Sequence, residues 1–166
     1  LDILNDSVFP DGIIRSNATA IRLHYVLGNV ETAEELFKNL CEYGERRNLP
    51  RPVVAAHAEK FRYFIANHDL AGAKSCVERM THFCPKGKFD QFDTEGEIVL
   101  LTRRAEARLM IETEQFDQAS KILDKLIRDY AGVNRRLLHT ELNILQGITM
   151  FGLGRLDEAS SHICRA

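Results

Sequence analysis

A chain of 166 residues is long enough for one domain with a sizeable core. Its 22 basic and 24 acidic residues leave a formal charge of −2, which excludes a general electrostatic pull toward nucleic acid or anionic membrane. No apolar run reaches the roughly 18 residues of a membrane span, and no signal-peptide pattern is read.

Residues 1–10 are expected to be a linker or the remnant of a preceding element. The chain starts at Leu1 rather than Met, and Ala166 falls inside a helical pattern, so a fragment of a longer protein is expected. From residue 11 to 166 the apolar spacing predicts one repeat domain of four helix pairs. The pairs are 11–28 with 30–48, 51–67 with 70–83, 96–113 with 116–131, and 134–153 with 156–166. The predicted class is therefore all-α, an α-α superhelix of solenoid type.

The repeat is carried by Ala33, Ala73, Ala119 and Ala159, spaced by 40 (33 to 73), 46 (73 to 119) and 40 (119 to 159). Four residues after each Ala stand Phe37, Val77, Leu123 and Ile163; three further stand Leu40, Met80, Leu126 and Ala166. Three residues before each Ala stand Val30, Leu70, Phe116 and Leu156. Offsets of three and four place these on one helix stripe. A lone helix pair cannot bury such a stripe, and stacked pairs can. A small residue at the Ala position lets two helix backbones approach. Gly or Asn in the preceding turn adopts the left-handed backbone that ends a helix. Twelve residues before the Ala stand the small Ala107 and Gly147 in the last two copies, and the larger Ile21 and Phe61 in the first two. The extra spacing of 46 lies in the connection 85–94, where Phe89 and Phe92 suggest a loop folded back onto the surface.

Cys41, Cys76, Cys84 and Cys164 lack C-x-x-C spacing and read as reduced thiols of a cytoplasmic protein. The six histidines show no ligand spacing, so no metal site is expected. Neither a Gly-x-Ser-x-Gly elbow nor a phosphate loop is present, and no cofactor or catalytic residue is assigned.

The columns resemble the tetratricopeptide repeat. The longer period, with Arg104-Ala105-Glu106-Ala107-Arg108-Leu109, Phe116-Asp117-Gln118-Ala119 and Leu153-Gly154-Arg155-Leu156-Asp157-Glu158-Ala159, resembles the superhelical sensor domain of large ATP-dependent LuxR-family (MalT-type) transcription regulators. The resemblance implies a non-catalytic array between an ATPase module and a DNA-binding module. Such an array receives a small-molecule or protein signal and itself makes no nucleic-acid contact.

In tetratricopeptide arrays the position eleven residues before the repeat Ala faces the concave groove. Arg22, Arg62 and Arg108 hold it here, with Arg104 one turn from Arg108 and Arg15 near Arg22. Forked guanidinium donors suit a carboxylate or phosphate. The alternative is pairing with acidic residues of neighbouring helices, such as Glu59, Glu106, Glu112 or Glu141. The fourth copy has Ile148, flanked by Ile144 and Phe151, which makes that end apolar. Tyr25, Ile65 and Ile111, three residues beyond the arginines, are expected to line the same groove, the alternative being packing between helices. The expected occupant is a small-molecule effector or a partner's peptide. A generic peptide-binding scaffold and a self-associating module are the competing readings.

Overall fold

The computed structural model describes residues 10–85, 93–132 and 135–166. Regular structure among these residues is α-helical throughout: α1 (Pro10–Val26), α2 (Val30–Arg46), α3 (Pro50–Ala66), α4 (Leu70–His82), α5 (Thr94–Glu112), α6 (Phe116–Asp129), α7 (Arg136–Gly152) and α8 (Leu156–Arg165). The chain divides into two compact units, Leu1–Lys88 and Phe89–Ala166. The first holds α1 to α4 and the second α5 to α8, and within each the helices pack on their neighbours in chain order. The expected all-α class and four helix pairs are thus present, two pairs of solenoid type in each unit. The segment 1–9 and most of the connection 85–94, including Phe89 and Phe92, lie outside the described residues.

Within each pair the turn repeats as geometry, not as sequence. The residue five before the repeat Ala is left-handed in all four copies: Gly28 (φ 77°), His68 (φ 57°), Glu114 (φ 59°) and Gly154 (φ 74°). The next residue's N–H returns to a carbonyl five positions back: Asn29 to His24 (2.9 Å), Asp69 to Phe64 (2.9 Å), Gln115 to Met110 (2.8 Å) and Arg155 to Met150 (2.9 Å). These bonds satisfy carbonyls that the helix end would otherwise leave open. The expectation of Gly or Asn at this position holds for the first and last turns and fails at His68 and Glu114. Starts are fixed as well: Asp69 Oδ1 accepts from Gly72 N (2.8 Å), and Asp93 Oδ1 from Gly96 N (2.7 Å).

The repeat Ala residues are buried, three of them completely. In the first unit Ala33 joins a core of Ile21, Tyr25, Leu40 and Ala56. In the second the core is Leu100, Ala107, Leu123, Leu126, Tyr130, Leu138, Leu142 and Leu145. The residues three before each Ala depart from the expected stripe. Val30, Leu70 and Leu156 are exposed, because each opens its helix at the turn, beyond the cover of the preceding helix. Phe116 is half-buried, its ring lying where a side chain on Gly152 would otherwise stand.

Candidate functional site

The arginine column is built on the first helix of each pair. In the first unit Arg22 of α1 grips the buried Glu59 of α3 with two parallel bonds, Nε to Oε2 (2.7 Å) and Nη2 to Oε1 (2.6 Å). Arg62 Nε lies 3.6 Å from the same carboxylate. One buried anion is therefore shared by two column arginines, and the forked geometry fixes α3 on α1. Arg15 is exposed, two turns earlier on α1. In the second unit Arg104 of α5 pairs with Glu141 of α7, and Arg103 pairs with Glu106. Arg108 is half-buried and makes no ion pair among the described residues. The pairing alternative thus describes Arg22, Arg62 and Arg104.

A second set of ties follows the same register. Glu34 accepts from Lys60 (2.6 Å) across 26 residues, and Ser120 accepts from Gln146 (3.2 Å) across 26 residues. In both units the residue after one repeat Ala meets the residue thirteen before the next. The Arg22–Glu59 and Arg104–Glu141 pairs each span 37 residues. Equal spans in two separate units show that the hairpins stack by one rule.

Tyr25 and Ile65 do not line a groove. Both are buried; Tyr25 stacks on Tyr63 with ring centroids 4.3 Å apart, and its hydroxyl donates to Glu34 Oε1 at 2.6 Å. Three residues along a helix fall about 60° short of a full turn, which rotates this column from the arginine face toward the core. Ile111 is likewise packed against the second unit's core, half-buried. Ile144, Ile148 and Phe151 are 40%, 44% and 69% exposed along one face of α7.

The sequence did not disclose the partly buried polar centre of the first unit. Lys60 Nζ bonds Glu34 and stands 4.3 Å from the centre of the Phe37 ring, a cation over an aromatic face. Burial pulls the Glu34 carboxyl up, but bonds from Lys60 and Tyr25 outweigh it and hold its pKa below the ordinary value. Burial, reinforced by the bond to Glu34, pushes the Tyr25 hydroxyl far up. Burial lowers His57 from 6.5 to about 4, with Arg79 and Lys60 adding to the effect. Burial likewise pushes the thiols of Cys41 to about 12 and Cys76 to about 11. Such thiols stay protonated, the wrong state for nucleophilic attack or metal ligation. No cluster of three or more His, Cys, Asp or Glu side chains fit to hold a metal occurs among the described residues. Only the 26-residue register links Glu34 to Lys60, and that register is invisible until the pairs are stacked.

A cleft of about 320 Å³ opens in the first unit between the α2–α3 turn and the end of α4, over Gly44, Leu49, Val53 and Phe83, with Arg79 and His82 at its edge. Arg79 is bonded there to Glu45 at 2.9 Å. Comparison with known protein families, curated proteins and solved structures finds no match for this chain. No helix among the described residues is long and apolar enough to cross a membrane.

Proposed function

We propose that this chain is a non-catalytic binding array. It is the signal-receiving repeat domain of a cytoplasmic LuxR-family (MalT-type) transcription regulator. An effector or partner engages the faces of the first helices and changes how the array contacts modules outside this chain. The observation that carries this reading is the contrast within one column. Arg22 and Arg62 stand where they are tied to a carboxylate, while Ile148 stands exposed beside Ile144 and Phe151. Stacked hairpins that tie some positions of a face and leave others bare offer a shaped surface and no reactive centre. Isothermal titration of candidate effectors against wild type, Arg62→Ala and Arg108→Ala tests it. Affinity falling at least tenfold in Arg108→Ala is expected, and equal affinities in all three proteins reject the arginine column as the contact.

A scaffold that grips a partner's peptide is the second reading. The ionic saturation of Arg22, Arg62 and Arg104 favours it, since a charged effector must displace Glu59 or Glu141 to reach them.

A further inference from the structure

The 37-residue register sets each tied arginine opposite a carboxylate of the next hairpin. Arg22 meets Glu59, which takes both its Nε and its Nη2. Arg104 meets Glu141, which takes Nη2 alone. Arg104 Nε is buried and has no acceptor among the described residues. Thirty-seven residues after Arg108 stands Leu145, a buried apolar side chain that can accept nothing. Arg108 is half-buried all the same, and among the described residues it makes neither a hydrogen bond nor an ion pair. The hairpin that stacks on α5 and α6 is present, with α7 packed on both, so the register has already supplied what it can.

Arg104 and Arg108 stand one turn apart on one face of α5, with on the order of 6 Å between their Cβ atoms, a spacing at which like charges repel. The neighbouring acids do not balance them. Glu106 pairs with Arg103, and Glu141 is the carboxylate bonded to Arg104. Glu112, one turn beyond Arg108, is exposed and unbonded to it. Two guanidiniums against Glu141 leave one positive charge. A half-buried charge and a buried N–H donor both cost free energy until an acceptor reaches them.

We propose that Arg104 and Arg108 form the seat for one carboxylate of a small-molecule effector. This rests on the binding-array reading and names the effector's chemical class and its place, one anion per chain, on α5 of the second unit. A carboxylate carries the single negative charge that the three side chains leave unmatched. Its two oxygens suit the fork of Arg108 and the Nε of Arg104. A phosphate dianion brings one charge too many. Arg22 and Arg62 are tied to Glu59 and take no part.

Nuclear magnetic resonance of the arginine Nε–H groups in the whole chain tests this, with sodium acetate as the probe and sodium chloride at equal ionic strength as the reference. The Arg104 and Arg108 signals are expected to follow one saturating curve. They should move at least threefold further than the Arg22 signal, whose Nε is occupied by Glu59. Inorganic phosphate at pH 8 is expected to move them less than acetate does. Arg108→Gln is expected to weaken acetate binding, read at Arg104, at least fivefold with an unchanged thermal melt. Arg108→Lys, which keeps the charge and loses the fork, is expected to weaken it by less. Shifts no larger than those in chloride, or an Arg104 curve unaltered in Arg108→Gln, overturn the proposal. A phosphate response above that of acetate overturns the carboxylate assignment. An effector bound equally by wild type and Arg108→Gln rejects this seat and leaves the array's receiving role standing. Acetate that saturates both signals in a chain that binds no candidate effector upholds the seat and rejects the receiving role.

Discussion

Replacing Gly44 by Ala tests whether the α2–α3 turn is as tightly closed as its geometry states. Gly44 is buried in the last turn of α2, and its carbonyl accepts from Leu49 N at 2.8 Å. A Cβ there would lie 2.8 Å from the Leu49 carbonyl oxygen, 2.8 Å from Val53 Cγ2 and 3.2 Å from Pro52 Cβ. In an open helix the same change gains about 1 kcal/mol of helix propensity. Here the first obstacle is backbone and the third is a proline ring carbon, so the turn itself must shift. Overpacking of this kind costs about 1–3 kcal/mol, and the backbone obstacle puts it at the upper end. The net loss is about 1–2 kcal/mol, a fall in melting midpoint of roughly 2–8 °C for a chain of this size. Gly12 is the internal reference: nothing lies within 4 Å of its added Cβ, so Gly12→Ala is expected to raise the midpoint by roughly 2–4 °C. Far-ultraviolet circular dichroism melts of the two variants and wild type decide it. A Gly44→Ala midpoint equal to or above wild type refutes the close approach on which the turn's structure is argued.

Two further predictions concern titratable groups of the first unit. His57 is held neutral in the folded chain down to about 4, against 6.5 when unfolded, so the unfolded state takes up a proton that the folded state refuses. Stability from this group is complete above 6.5 and is lost as pH falls toward 4. Urea midpoints at pH 7 and pH 5 are expected to drop less in His57→Leu than in wild type; equal drops sink the assignment. Among the thiols, Cys164 is exposed while Cys41 and Cys76 are held protonated by burial. An aromatic disulfide reagent should label Cys164 first and reach Cys41 and Cys76 only on denaturation, and a single common rate in the native protein contradicts that order.

The hairpin plan was legible because its signal is local. The Ala residues, their apolar companions at offsets of four and seven, and the breaks near Gly28 and Gly154 mark each helix to within about two residues. Which face each column presents was less legible, since that depends on the angle between stacked helices. Tyr25 and Ile65 look equivalent to the arginines in a list of offsets, yet rotation of less than a quarter turn takes them into the core. Val30, Leu70 and Leu156 share a helical stripe with buried residues and are exposed, because a stripe continues to the helix end while its cover does not. The pairing of Arg22 and Arg62 with Glu59, and of Arg104 with Glu141, was foreseeable as an alternative because carboxylates lay near in sequence register. The Tyr25–Glu34–Lys60 centre was not, since nothing in its members' spacing distinguishes it from a solvated helix face.

The left-handed turn residues carry a consequence for how such arrays drift. At His68 and Glu114 an L side chain occupies a backbone region that costs roughly 1–2 kcal/mol relative to Gly. Nesting of the flanking helices dictates the bend and tolerates that cost, so glycine is optional at this corner. A search pattern that demands glycine would find only two of the four within-pair corners among the described residues. Related arrays are then better sought by the 26- and 37-residue spacing of their inter-helix bonds than by the letters at their bends.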